Sequence, residues 1–270
     1  MKVAFIGGGN MASAIVGGLL AKDFAALQFH VVEVSAARCH ELQNTYDVTA
    51  AQSADDALAS CDVLVIAVKP QQTREAAKSV LPYLNKQLVI TIAAGIRLDD
   101  LSRWLEGYQN LVRAMPNTPA LIHAGVTGLY SLPAVTSADR ERATSLMNAV
   151  GETVWFDNES QLDAVTAISG SGPAYVFYFI EALQKAAQEL GMTPAQARAL
   201  ALHTFTGAAR LAAQSDESPA TLRARVTSKG GTTERALSVM EGNRVMEKFI
   251  DAIKSAAARS TELGEEFGKD

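Results

Sequence analysis

The chain opens on a short apolar run, Lys2–Ile6, that breaks at Gly7-Gly8-Gly9 and gives way to a helical pattern over Met11–Leu20. A strand, a glycine turn and a helix in this order constrain what the rest of the chain can build. In Gly7-x-Gly9-x-x-Ala12, Gly7 permits a tight turn. Gly9 has no side chain, so a phosphate can reach the backbone. Ala12 is small enough for close helix–strand packing. A pyrophosphate placed there meets free N–H groups and the positive end of the helix dipole. The pattern is that of a dinucleotide site.

The same alternation continues. Phe29–Glu33 reads as a strand and Ala36–Thr45 as a helix. Val63–Val68 is a fully apolar run ending at Lys69-Pro70, and Leu88–Ala93 and Leu111–Ala114 repeat it. Continuous apolar runs of this length fit parallel strands buried on both faces. Val126–Tyr130 and Thr153–Phe156 complete the sheet, with a helix from about Ala138 to Val150 between them. The expected architecture is a doubly wound α/β domain.

Strand signals stop after Asn158. Pro173–Leu190 is apolar on most of its surface, which predicts burial in a core or between subunits. Thr193-Pro194-Ala195-Gln196 is a capping-box start with proline at the first helical position. Ser218-Pro219 opens a shorter helix. Asn243 is expected to cap a last helix, on which Met246, Phe249, Ile250, Ile253 and Ala257 share a face. A boundary near residue 160 therefore separates a dinucleotide-binding domain, 1–160, from an all-helical domain, 161–270. A nearly all-apolar helix in so small a domain predicts packing against another copy of the chain.

Composition closes off other classes. The net charge of −5 comes without a basic run, so no nucleic-acid footprint is expected. No apolar stretch approaches the roughly 20 residues of a membrane span, and the glycines interrupt any signal-peptide reading of the N-terminus. Cys39 and Cys61 form neither a paired framework nor a CxxC and read as reduced thiols of a cytoplasmic protein. His30, His40, His123 and His203 lack metal-ligand spacing.

Two further features bear on the cofactor. Glu33 stands about 20 residues beyond the glycine pattern, where an acid accepts hydrogen bonds from ribose hydroxyls. It should repel a 2′-phosphate: a like-charge pair at about 4 Å costs roughly 4 kcal/mol at an effective dielectric of about 20. Good use of NADH is the expectation, although Arg38, five residues on, can offset the repulsion. Lys69 follows the third strand at the carboxyl edge, where it faces either the cofactor or solvent.

Met115-Pro116-Asn117-Thr118-Pro119, Ser169-Gly170-Ser171-Gly172-Pro173-Ala174-Tyr175 and Val226-Thr227-Ser228-Lys229-Gly230-Gly231-Thr232-Thr233-Glu234 then follow in order. With Phe5-Ile6-Gly7-Gly8-Gly9-Asn10-Met11-Ala12, they make the chain resemble pyrroline-5-carboxylate reductases over nearly its whole length. The stretch from Pro219 to Glu241 is the most specific part. The resemblance implies a Rossmann domain followed by a helical dimerisation domain, and homodimers that in some members join into rings. It also implies reduction of 1-pyrroline-5-carboxylate to L-proline with NADPH or NADH, the last step of proline biosynthesis. It places Asn10 and Met11 in the phosphate loop, and Glu33 and Ser35 near the adenosine. Ala67, Lys69 and Pro70 follow the cofactor, and Ala94, Asn117 and Pro119 approach the nicotinamide. Ser228, Gly230, Gly231, Thr232 and Thr233 hold the substrate. Glu33 stands where many relatives carry a smaller polar residue, and Lys229 replaces a proline seen in some.

The residues agree with that chemistry. Glycines followed by a helix start, as at Gly230-Gly231-Thr232-Thr233, expose N–H donors suited to a carboxylate. The alternative is that the glycines end one helix and Thr232 caps the next. A protonated imine is already electrophilic, so a hydroxyl on its nitrogen suffices, and Thr233 is the candidate. Tyr175 and Glu181 are weaker candidates. A 3-hydroxyacid dehydrogenase would want a lysine near the start of the helical domain, yet none occurs there before Lys185. A non-catalytic dinucleotide sensor would need the first domain but not the carboxylate loop.

Overall fold

The computed structural model describes residues 1–22 and 28–269. Eight strands form one sheet: β1 (Lys2–Ile6), β2 (Gln28–Val32), β3 (Thr49–Ala51), β4 (Val63–Ile66), β5 (Leu88–Thr91), β6 (Leu111–Met115), β7 (Gly125–Ser131) and β8 (Gly151–Trp155). Their order is β3-β2-β1-β4-β5-β6-β7-β8. Pairing is parallel from β3 to β6, antiparallel between β6 and β7, and parallel again between β7 and β8. The Rossmann-like first half expected from the sequence is present. It has an added short edge strand, β3, and one reversal at β6–β7.

The apolar runs are continuous because both faces of the sheet are covered. Val3 and Phe5 point into a core with Ile15 and Leu19 of α1 (Asn10–Ala21) and with Leu146 and Met147 of α5 (Ser137–Met147). Ala4 and Ile6, on the other face, pack with Ala77 and Val80 of α3 (Thr73–Val80) and with Leu98 and Leu101 of α4 (Leu98–Trp104). The helix α2 (Ala36–Tyr46) starts at Ser35, whose hydroxyl accepts from the Arg38 N–H. The period of two along each strand thus divides its side chains between two cores.

The chain forms two compact units, one of residues 1–171 together with the segment from Ser255 onward, the other Gly172–Lys254. The expected boundary near residue 160 falls at the start of α6 (Gln161–Val165), inside the first unit. In that unit Arg113 of β6 is 2% exposed and pairs with Glu159 at 3.1 Å and Asp163 at 3.7 Å. Asp163 also accepts from the hydroxyls of Ser260 and Thr261 at 2.8 and 3.1 Å. The Arg103 side chain donates to the Gly268 carbonyl at 2.6 Å. The end of α11 (Val245–Phe267) is thereby fastened to the sheet domain.

The second unit is helical: α7 (Gly172–Glu189), α8 (Pro194–Ala213), α9 (Pro219–Arg225), α10 (Thr232–Gly242) and the first part of α11. Both bonds of the capping box at Thr193 and Gln196 form, and Ser218 caps α9. Tyr175 and Phe179 of α7 both meet Phe249 edge to face, at 5.7 and 5.5 Å between centroids. One expectation needs correction. Asn243 ends α10 and does not start α11; Arg244 takes the left-handed φ of 54° between the helices, and its carbonyl accepts the Lys248 N–H. The apolar helix α7 is not buried in its own chain: Phe177 is 64% and Tyr178 70% exposed.

Candidate active site

The first unit gathers Gly7, Gly9, Asn10, Met11, Ala12, Glu33, Ser35, Ala67, Lys69, Pro70, Ala94, Asn117 and Pro119. They lie at or just beyond the carboxyl ends of β1, β2, β4, β5 and β6, the edge where open α/β sheets bind ligands. Gly7 has φ +100°, and a Cβ there would stand 2.9 Å from both the Ala67 carbonyl oxygen and Val68 Cγ1. Only glycine accommodates that turn beside β4. Gly9 behaves differently. It is the N-cap of α1 without a side-chain cap, and a Cβ built on it meets nothing within 4 Å. Helix geometry leaves the first N–H groups of α1 without intrahelical acceptors, so the loop has both room and donors for a pyrophosphate. Ala12 is buried against the sheet, as its small size predicts.

Glu33 is half-buried immediately after β2. Its carboxylate accepts the Gly8 N–H and the Ser35 N–H, each at 2.9 Å. Arg38 is not a free exposed arginine. Its Nε donates to the Gly8 carbonyl at 2.8 Å, its Nη2 to Ser13 Oγ, and its Nη1 pairs with Glu41. Lys69 is exposed ahead of the turn Pro70–Gln72. Ala94 is half-buried beside Gly95, whose φ is +76°. Asn117 is buried, and its side chain is used by protein: Nδ2 donates to the Ser169 carbonyl at 3.1 Å, and Oδ1 accepts the Val126 N–H at 2.9 Å. Ser169 belongs to a π-helical turn, Thr166–Gly170, that the sequence patterns do not reveal. Such turns recur at functional sites.

Ser228, Gly230, Gly231, Thr232 and Thr233 lie together in the second unit. Gly230 has φ +73°. Gly231, not Thr232, is the N-cap of α10, so Thr232 and Thr233 are the first helical residues and the alternative of a Thr232 cap is set aside. Two of the expected anion donors are already used. The Gly231 N–H bonds the Ser228 carbonyl at 3.0 Å, and the Gly230 N–H bonds the Glu234 carboxylate at 2.7 Å. The donors that helix geometry leaves without intrahelical acceptors are those of Thr232, Thr233 and Glu234. Tyr175 is engaged with Phe249. Glu181 is exposed and paired with Lys185 at 2.8 Å, which holds its carboxyl below the usual carboxylate range by hydrogen bond and charge. Among the described residues no cluster of His, Cys, Asp and Glu could hold a metal, and no helix is long and apolar enough to cross a membrane.

A glycine turn with an open helix start, an acid at the end of β2 and a helical second unit define a dinucleotide-dependent oxidoreductase of the Rossmann type. Comparison with known proteins makes this specific. Residues 159–263 match the family model for pyrroline-5-carboxylate reductase dimerisation, and residues 2–95 match that for NADP oxidoreductase, coenzyme F420-dependent. The chain is 41% identical to the pyrroline-5-carboxylate reductase of Pseudomonas aeruginosa over 99% of its own length and 98% of that protein. A solved pyrroline-5-carboxylate reductase from Coxiella burnetii superposes with a TM-score of 0.90 at 40% identity, covering 97% of each chain. A pyrroline carboxylate reductase from Plasmodium falciparum, solved with NADP bound, gives 0.86 at 29% identity, covering 98% of each. The chain belongs to the pyrroline-5-carboxylate reductase family, and it carries that family's dimerisation domain.

Proposed function

We propose that the chain reduces 1-pyrroline-5-carboxylate to L-proline with NAD(P)H, as the last step of proline biosynthesis, and that it does so as a cytoplasmic homodimer. Residues 1–160 bind the dinucleotide, and 161–270 carry the substrate site and the dimer contacts. Such dimers are also the unit from which a ring would be built. The reading is supported by family membership over the whole chain and by one observation above the rest: the start of α10 offers backbone donors and a threonine hydroxyl without a competing side-chain cap.

The dinucleotide supplies a hydride to C5 of the ring. The protein's part is to hold the ring and manage its charge. The N–H groups of Thr232 and Thr233, at the positive end of α10, face the substrate carboxylate. Thr233 Oγ1 hydrogen-bonds the ring nitrogen, which keeps the proton it carries as the protonated imine. Gly231 must stay small, because a Cβ there would lie 3.0 Å from the Ser228 carbonyl oxygen. Gly230 and Glu234 brace the turn and do not bind substrate. Positioning of the ring supplies most of the rate.

Incubation of the purified chain with 1-pyrroline-5-carboxylate and reduced dinucleotide should yield proline and oxidised dinucleotide in equal amounts. Dinucleotide binding without turnover would identify a sensor. Turnover of a 3-hydroxyacid in place of the imine would identify a dehydrogenase.

A further inference from the structure

We propose that the adenosine end of the site accepts a free ribose diol and excludes a 2′-phosphate, so that the chain prefers NADH to NADPH. Glu33 and Arg38 set this preference jointly by holding the backbone on either side of Gly8. The proposal rests on the dinucleotide reading above.

Glu33 accepts the Gly8 N–H and Arg38 donates to the Gly8 carbonyl, at 2.9 and 2.8 Å, so the two peptides flanking Gly8 are both held. The second oxygen of Glu33 takes the Ser35 N–H. Each carboxylate oxygen has two lone-pair sites, so each keeps capacity for one further donor. A 2′,3′-diol offers two hydroxyl donors and completes that count. A 2′-phosphate replaces a donor with a dianion that can only accept, next to a carboxylate. The N–H groups of Gly8 and Ser35 that a phosphate could use are already held by Glu33.

NADPH would also need a cation. The stretch from Val34 to Ala37, which runs into α2, contains no lysine or arginine, which leaves Arg38. All three of its guanidinium nitrogens have protein acceptors: the Gly8 carbonyl, Ser13 Oγ and Glu41. Three of its five N–H donors are committed in this way, so the guanidinium is held against the phosphate loop and its charge is shared with Glu41. Gly8 gives little slack, since a Cβ there would lie 2.6 Å from Leu42 Cδ1 and 3.3 Å from Glu33 Cβ. Arg38 is therefore a positioning residue for the loop and not a ligand of the nucleotide.

Calorimetric titration of the full chain with NADH and NADPH tests this, together with ADP-ribose and 2′-phospho-ADP-ribose, which lack the nicotinamide. Both pairs should favour the unphosphorylated member by about tenfold or more. Glu33→Ser should bring the ratio toward one, mainly by weakening NADH. Glu33→Gln, which keeps the side chain's volume, should move it the same way and serves if the serine variant is poorly folded. Arg38→Ala should weaken both dinucleotides by a similar factor. The proposal is overturned if the native chain binds NADPH as tightly as NADH, or if Arg38→Ala selectively weakens NADPH. Binding of neither nucleotide would overturn the dinucleotide reading as well, whereas equal binding of both would overturn this inference alone.

Discussion

Two glycines of the phosphate loop carry different constraints, and substitutions separate them. At Gly7 the positive φ and the 2.9 Å approach to Ala67 are folding constraints. Gly7→Ala should destabilise the chain by roughly 1–3 kcal/mol, visible as a lower Tm. At Gly9 the Cβ direction is open. Gly9→Val should leave the Tm nearly unchanged while dinucleotide affinity collapses. Unchanged NAD(P)H titration would remove the loop from the site. Thr233 allows a similar separation. Gly231 caps α10, so Thr233→Ala should cost no more than about 0.5 kcal/mol of stability. If its hydroxyl bond strengthens in the transition state, kcat falls by up to a few kcal/mol in barrier terms. Native kcat in the alanine variant would leave water as the partner of the ring nitrogen.

At the level of elements, Asn117 joins the end of β6 to the π-turn Thr166–Gly170 and to the start of β7. Asn117→Ala leaves the Val126 N–H and the Ser169 carbonyl without their side-chain partner. The expected loss is about 1–3 kcal/mol. Asn117→Asp keeps the acceptor for Val126 but turns an anion toward the Ser169 carbonyl, so it should not rescue the Tm. A melting temperature unaffected in both would mean that the π-turn holds itself. These elements also show what the sequence discloses. The strands β1, β4, β5 and β6 were legible because burial on both faces leaves uninterrupted apolar runs. The caps at Thr193 and Ser218 were legible because they are local chemistry. The edge strand β3 was missed: three residues are too few for a period. The π-turn was missed because its one-residue bulge leaves no mark on an apolar period, and the Asn117 clamp because it joins residues 52 apart in sequence. The partners of Arg38 were not legible for the same reason, since Gly8 and Ser13 lie 30 and 25 residues away in sequence. At Gly230 the composition suggested a free N–H donor, and only the fold shows Glu234 already using it.

For the whole molecule, the exposed Phe177 and Tyr178 of α7 make self-association testable. Light scattering should find no monomer at micromolar concentration, and charges at both positions, Phe177→Glu with Tyr178→Glu, should release one. A monomeric native chain would show that α7 is not the dimer surface. The buried cluster around Arg113 predicts a pH dependence. Burial pushes the Glu159 carboxyl above its usual value of 4.5, against the lowering effect of Arg113. The folded chain therefore holds this proton more tightly than the unfolded one, and its stabilising contribution is present below about pH 4.5 and lost as pH rises through the folded value. The Glu159→Gln variant, which mimics the protonated acid, should gain in Tm relative to the native chain as pH rises across that window. A constant difference would show that Glu159 titrates alike in both states. The fastening of Ser260, Thr261 and Gly268 onto Asp163 and Arg103 has a further consequence, for vectorial synthesis. The sheet domain emerges from the ribosome before residues 260–268, which supply part of its surface. At about 5–20 residues per second, the roughly one hundred intervening residues leave that surface bare for about 5–20 s. A chain ending at residue 171 should therefore be more protease-sensitive around α4 than the full chain.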